Sequence, residues 1–130
     1  AHTPDALKNI LKQYKIQNIK PVLLFGCGGE RDKTKRKAMG IIANQYASRI
    51  YVTDDNPRNE DPSIIRKNII KYCPGSIEIA NRKKAIKKAI HDLLQNEILI
   101  IAGKGHEKIQ IVKNRKLSFD DFKIAKGFIS

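Results

Sequence analysis

Residues 49–62 read Arg49-Ile50-Tyr51-Val52-Thr53-Asp54-Asp55-Asn56-Pro57-Arg58-Asn59-Glu60-Asp61-Pro62, and their order decides what kind of sheet the chain builds. Arg49 to Thr53 is a short β-branched and aromatic run, which predicts a strand. It passes straight into a loop crowded with carboxylates, amides and one guanidinium. Pro57 takes Asn56 out of the α region and fixes its own φ, so Asn56 and Arg58 sit on a stiff connector. Asp61-Pro62 then supplies the N-cap and first residue of a helix. Strand, rigid polar loop and helix start in succession is how an open α/β sheet builds a ligand site at the carboxyl ends of its strands. Asp, Asn and Pro also make ordinary β-to-α turns, and on these residues alone both readings stand.

Working outward, the same unit recurs on both sides. Thr3-Pro4-Asp5 starts a helix that carries Leu7, Ile10, Leu11 and Tyr14 at helical spacing and ends near Gln17. Lys20 to Phe25 is a nearly continuous apolar strand of the kind buried on both faces of a parallel sheet. It ends in Gly26-Cys27-Gly28-Gly29-Glu30-Arg31-Asp32, ahead of a helix from about Lys33 to Ala47. Backbone amides in that loop are suited to face an anion; the glycines also simply permit a tight turn. This is not the dinucleotide fingerprint, because Arg31 stands where the third glycine belongs. Arg31 in a glycine turn suits a carboxylate or phosphate.

Beyond residue 62, Ile64, Ile65, Ile69 and Ile70 mark a helix stopped by Cys73-Pro74-Gly75. Ser76 to Ala80 reads as a short strand, Arg82 to Leu94 as an amphipathic helix and Glu97 to Ala102 as a second buried strand. Gly103-Lys104-Gly105-His106-Glu107 follows, without the spacing of a P-loop. Lys108 to Val112 and Lys116 to Phe119 read as an edge hairpin, and Ser118 or Asp120 as the cap of a last helix. The expectation is a single α/β, Rossmann-like domain over 1–130: a mostly parallel sheet of about six strands, a C-terminal antiparallel hairpin, and helices on both faces. Three polar loops, Gly26 to Asp32, Asp54 to Arg58 and Gly103 to Glu107, then crowd one edge of the sheet. Two arginines, two or three carboxylates and an amide meeting there suit a zwitterion, with guanidinium forks for carboxylates and Asp or Glu for an ammonium.

The chain of 130 residues, 41% hydrophobic and 30% charged, is long enough for one core and short for two. No apolar run approaches the roughly 20 residues of a membrane span, so no membrane partner is expected. Cys27 and Cys73 lack metal-site or disulfide spacing, which fits a reducing cytoplasm and no metal. The chain begins at Ala1 with no Met or leader, as a piece of something longer would. The net charge of +13 raises a polyanion as partner. Yet its densest runs, Lys33 to Lys37 and Arg82 to Lys88, fall on helical patterns where lysines form the solvated face, and nucleic acid is not the favoured reading.

Read in order, AHTPD at 1–5, FGCGGERDKTKR at 25–36, TDDNPRNEDP at 53–62 and AGKGHEKIQ at 102–110 resemble the C-terminal domain of the Mur ligases over essentially the whole chain. The resemblance implies that Asp55-Asn56-Pro57-Arg58 is the signature of members that add meso-diaminopimelate. It implies that Arg31, Asp55, Asn56, Arg58, Gly103 and Glu107 bind that amino acid, and that His2 lies near the nucleotide, although a terminal His is also simply prone to fray. It places ATP and magnesium mainly in a central domain, and UDP-N-acetylmuramoyl-dipeptide in an N-terminal one, neither within this sequence. In that scheme ATP activates the D-glutamyl carboxylate as an acyl phosphate and the diaminopimelate amine attacks it. No catalytic residue is assigned to this chain, which by itself is expected to be inactive and monomeric. Two rivals remain: a related ligase for another amino acid such as lysine, and a basic α/β module that binds anions or nucleic acid.

Overall fold

Four apolar residues in a row, Val22-Leu23-Leu24-Phe25, form the central strand, and all four are buried because both sheet faces are covered. The computed structural model of the protein describes residues 3–29, 33–102 and 109–113. The elements run α1 (Pro4–Ile16), β1 (Val22–Phe25), α2 (Thr34–Tyr46), β2 (Arg49–Val52), α3 (Pro62–Ile70), β3 (Ile77–Glu78), α4 (Arg82–Asp92), β4 (Ile98–Ile101) and β5 (Gln110–Lys113). The sheet order is β3-β2-β1-β4-β5. The pairs β1·β2, β1·β4 and β2·β3 are parallel, and β4·β5 is antiparallel.

The α/β architecture with helices on both faces stands as expected. Leu23 and Phe25 point into one core with Leu7 and Leu11 of α1, Met39, Ala43 and Tyr46 of α2, and Ile65 and Ile69 of α3. Val22 and Leu24 point into the other with Ala85, Ile86, Ala89 and Ile90 of α4. Alternate residues of one apolar run thus serve two cores. Five strands fall among the described residues. The antiparallel strand pairs with β4 itself, and the second hairpin arm at 116–119 and the last helix lie outside the described residues. The strand expected over Ser76 to Ala80 is ladder-paired only at Ile77–Glu78, on the sheet edge.

Local chemistry sets the helix ends. Thr3 accepts from the Ala6 amide at 3.3 Å with Pro4 next, and Asp61 accepts from the Ser63 amide at 2.9 Å with Pro62 next. Gly40 of α2 lies against α3, where a Cβ would stand 2.7 Å from the Ile69 carbonyl oxygen and 3.0 Å from the Tyr72 Cβ. Gly40→Val is expected to destabilise the fold by about 1–3 kcal/mol, read as a lowered urea midpoint at unchanged slope.

At the amino edge of the sheet, Arg49 forks onto Glu97 at 3.0 and 3.1 Å and donates to the Tyr51 hydroxyl at 3.1 Å. That hydroxyl donates to Asp92 at 2.9 Å, which also takes Lys88 at 3.0 Å. The Arg49 hydrogen bond is the main reason the Glu97 carboxyl is held below its ordinary 4.5, and the Lys88 and Tyr51 bonds hold Asp92 below 3.8. Carboxyls depressed in the folded state add stability that is present above their unfolded values and lost as pH falls through the folded ones. The urea midpoint should therefore be level above about pH 5 and fall in acid, and Glu97→Gln should lower it at neutral pH while flattening the acid decline.

Candidate functional site

β1 and β2 end in the same row, with Phe25 opposite Val52, so the loops that leave them start side by side. The ladder carries one step further: the Thr53 amide donates to the Phe25 carbonyl at 3.0 Å, and the Ala102 amide to Leu24 at 2.9 Å. The sheet order also changes direction between β1 and β4, the switch point at which open α/β sheets present a crevice.

The two loops are zipped together, and glycine is what permits it. A Cβ at Gly26 would run into the Thr53 carbonyl, and one at Gly29 into the Pro57 carbonyl. The Gly29 amide donates to the Asn56 carbonyl at 3.0 Å, and Arg58 Nη1 donates back to the Gly29 carbonyl at 2.7 Å. The Gly29 N–H is therefore spent inside the protein instead of facing an anion. Either side of Pro57 the backbone is left-handed, with φ 40° at Asn56 and 54° at Arg58. Pro57 does exclude the α region at Asn56, as its sequence implied, but tethering to Gly29 accompanies a positive φ in place of an extended one. Both side chains are exposed on the rim, whereas Asp55 is buried.

Three arginines hold this edge in place. Arg36, 1% exposed, forks onto Glu60 with both bonds at 2.7 Å and reaches the Gly28 carbonyl at 3.4 Å. The Glu60 hydrogen bond keeps the guanidinium firmly charged despite its burial. Arg66 of α3 binds both Asp54 and Glu78, the latter at 2.8 Å. Arg82, at the start of α4, donates to the Ala102 carbonyl at 3.0 Å. Sequence reasoning placed the whole Lys33 to Lys37 run on a solvated face and so missed Arg36. The signal was there: Arg36, Met39, Gly40 and Ala43 share one helical stripe, and the other three are apolar or small.

Asp55, Asn56 and Arg58 are thus brought together with the glycine turn. Arg31, Gly103, Glu107 and His2 lie outside the described residues. Among the described residues no group of three His, Cys, Asp or Glu side chains could hold a metal, and no helix is long and apolar enough to cross a membrane. Cys27 stands on the first loop near Asp55, where burial first and that carboxylate second push its thiol up to about 12.

This edge, with its two interlocked loops, lies at the carboxyl ends of the strands beside the switch point, where open α/β sheets bind their ligands. The chain belongs to the Mur ligase family: the family model described as Mur ligase, glutamate ligase domain, matches residues 1–105. It is 50% identical over 135 residues to the UDP-N-acetylmuramoyl-L-alanyl-D-glutamate–2,6-diaminopimelate ligase of Rickettsia felis, an alignment that takes in 100% of this chain and 26% of that protein. To the ligase of the same name from Anaplasma marginale it is 49% identical over 124 residues, or 93% of this chain and 26% of that one. A solved structure of a ligase of that name superposes with a TM-score of 0.76 at 36% identity, covering 99% of this chain and 28% of its own. The chain spans about a quarter of the length of the curated relatives it matches.

A thiol pushed up to about 12 is almost wholly protonated at pH 8. Iodoacetamide should therefore label Cys27 on the order of 10²–10³ times more slowly in the folded than in the urea-unfolded chain. Asp55→Asn should speed labelling by less than unfolding does, because burial is the larger cause. Peptide mass spectrometry against time measures both.

Proposed function

We propose that this chain is the C-terminal, amino-acid-binding domain of an ATP-dependent ligase that joins meso-diaminopimelate to UDP-N-acetylmuramoyl-L-alanyl-D-glutamate in peptidoglycan synthesis. The observation that carries the reading is identity of about one half, end to end, with ligases named for 2,6-diaminopimelate. The geometry supports it. Arg58 sits exposed on the rim with one N–H on the Gly29 carbonyl, an orientation that leaves the rest of its fork available for a carboxylate. Asn56 stands beside it as an amide, and Asp55 supplies negative charge one residue away for an ammonium.

Arg31, Gly103 and Glu107 join this set, and His2 the nucleotide, on the strength of the family motif. Among the described residues no group of three His, Cys, Asp or Glu side chains could hold a metal ion. In this reading ATP and magnesium are held by the rest of the ligase, and the chain's task is to orient the amine for attack and keep water from the reacting centre. The same reading places the ligase in the cytoplasm as a monomer.

Lysine has the chain length and distal ammonium of diaminopimelate but not the distal carboxylate, so in this site it would leave the rest of the Arg58 fork, beyond its bond to the Gly29 carbonyl, without a partner. A built-in polar group left without its partner can cost on the order of 10⁴ in specificity. The full-length enzyme should prefer diaminopimelate by about that order. Arg58→Ala should raise its KM and narrow the gap, and Arg58→Lys, which lacks the fork, should do nearly as much. The measurement is kcat/KM for both amino acids in wild type and both variants; an unchanged ratio in Arg58→Ala removes Arg58 as the carboxylate reader.

A further inference from the structure

We propose that Arg36 and Glu60 form a positioning pair that aims Arg58, and that selection for the substrate's distal carboxylate depends on them although neither need touch the amino acid. The inference rests on the diaminopimelate reading above. Its starting point is the backbone at Asn56 and Arg58, where φ of 40° and 54° puts two residues that have a Cβ in the left-handed region. An arginine there is strained, and such a conformation persists only when its surroundings fix it.

What fixes it can be followed bond by bond. Arg58 leans on the Gly29 carbonyl at 2.7 Å, and the Gly29 amide holds Asn56 at 3.0 Å, so the Arg58 fork is placed relative to the glycine turn. The glycine turn is in turn tied to Arg36 through the Gly28 carbonyl at 3.4 Å. The far end of the Arg58 turn closes through the Glu60 amide to the Pro57 carbonyl at 3.0 Å, and the Glu60 side chain grips the same Arg36 with two bonds of 2.7 Å. One planar guanidinium on α2 thus sets the distance and angle between the two loops.

Burial separates this role from binding and from simple surface pairing. At 1% exposure the Arg36 side chain is sealed off from a ligand on the rim, while Glu60 is 18% exposed. The Arg66 pairs with Asp54 and Glu78, at the other end of the loop, are more open to water and tie it to α3 and β3. A two-pronged fork fixes orientation in a way that a lysine ammonium does not, and replacing a buried ion pair by apolar residues often leaves stability unharmed, so geometry is what this pair contributes.

The test is a double-mutant cycle in the full-length ligase between Glu60→Gln and Arg58→Ala, with kcat and KM measured for diaminopimelate, lysine and ATP. Glu60→Gln alone should raise the diaminopimelate KM about 10–100-fold, as a misaimed group does, with kcat and the KM for ATP changing far less and the preference over lysine narrowing. Added to Arg58→Ala it should change the diaminopimelate KM by less than about threefold, because it acts through the group already removed. If Glu60→Gln does not fold, Arg36→Lys goes through the same cycle with the same expectations. Equal fold-losses in both backgrounds, or an unchanged diaminopimelate KM in the single variant, overturn the positioning role while leaving the substrate reading intact. A wild-type ligase that does not join diaminopimelate overturns both.

Discussion

β1 is hydrogen-bonded on both edges, to β2 and to β4, and buried on both faces. Its double burial has a less obvious consequence: because both faces are apolar, hydrophobic alternation does not distinguish one register from the next as it does in a half-exposed strand. The register is specified at the end of the strand. Gly26 lies where any side chain would meet the Thr53 carbonyl, so the loops after β1 and β2 can close only if glycine arrives at that position. The contact that joins the two loops also locks the sheet.

Much of this was legible because it is local. Thr3-Pro4 and Asp61-Pro62 announce helix starts by cap chemistry that needs no tertiary partner, and Val22 to Phe25 announces a doubly covered strand by having no polar residue at all. The loops expected at Gly26 to Asp32 and Asp54 to Arg58 could likewise be assigned to one edge, since each follows a parallel strand. What could not be read was how the loops treat each other. Glycines that allow an anion to approach and glycines that allow a carbonyl to approach look identical in sequence; Gly26 and Gly29 are the second kind. Asn56 was expected to leave the α region, but its sign of φ accompanies a hydrogen bond from a residue 27 positions away. Arg36 was hidden for the same reason: in a basic run its charge says solvent, and only Glu60, 24 residues on, reverses that.

Among the described residues the basic side chains divide by type. Lys83, Lys84, Lys87 and Lys88 lie exposed along α4, outside the stripe made by Ala85, Ile86, Ala89 and Ile90. Arginines make the internal ties instead, at Arg36, Arg49, Arg58, Arg66 and Arg82. A guanidinium is weakly hydrated and presents fixed donors, so it tolerates partial burial against carboxylates and carbonyls, whereas an ammonium stays in water. The net charge of +13 therefore mixes two kinds of group, exposed lysines such as those of α4 and arginines tied to carboxylates and carbonyls.

The two forked pairs at opposite edges of the sheet show what burial changes. Arg49 and Glu97 are each about a quarter exposed, so water screens their attraction and also spares them most of the desolvation that burial imposes. Such a pair contributes modest stability that titrates away in acid. Arg36 and Glu60 give up far more hydration, and in stability alone an apolar contact of the same shape would serve as well. An apolar contact, however, is indifferent to rotation and to small slides, while a planar fork has one good arrangement. At the amino edge the partly exposed pair is the looser contact. At the carboxyl edge, next to an arginine with left-handed backbone, the less tolerant pairing is the one the structure uses.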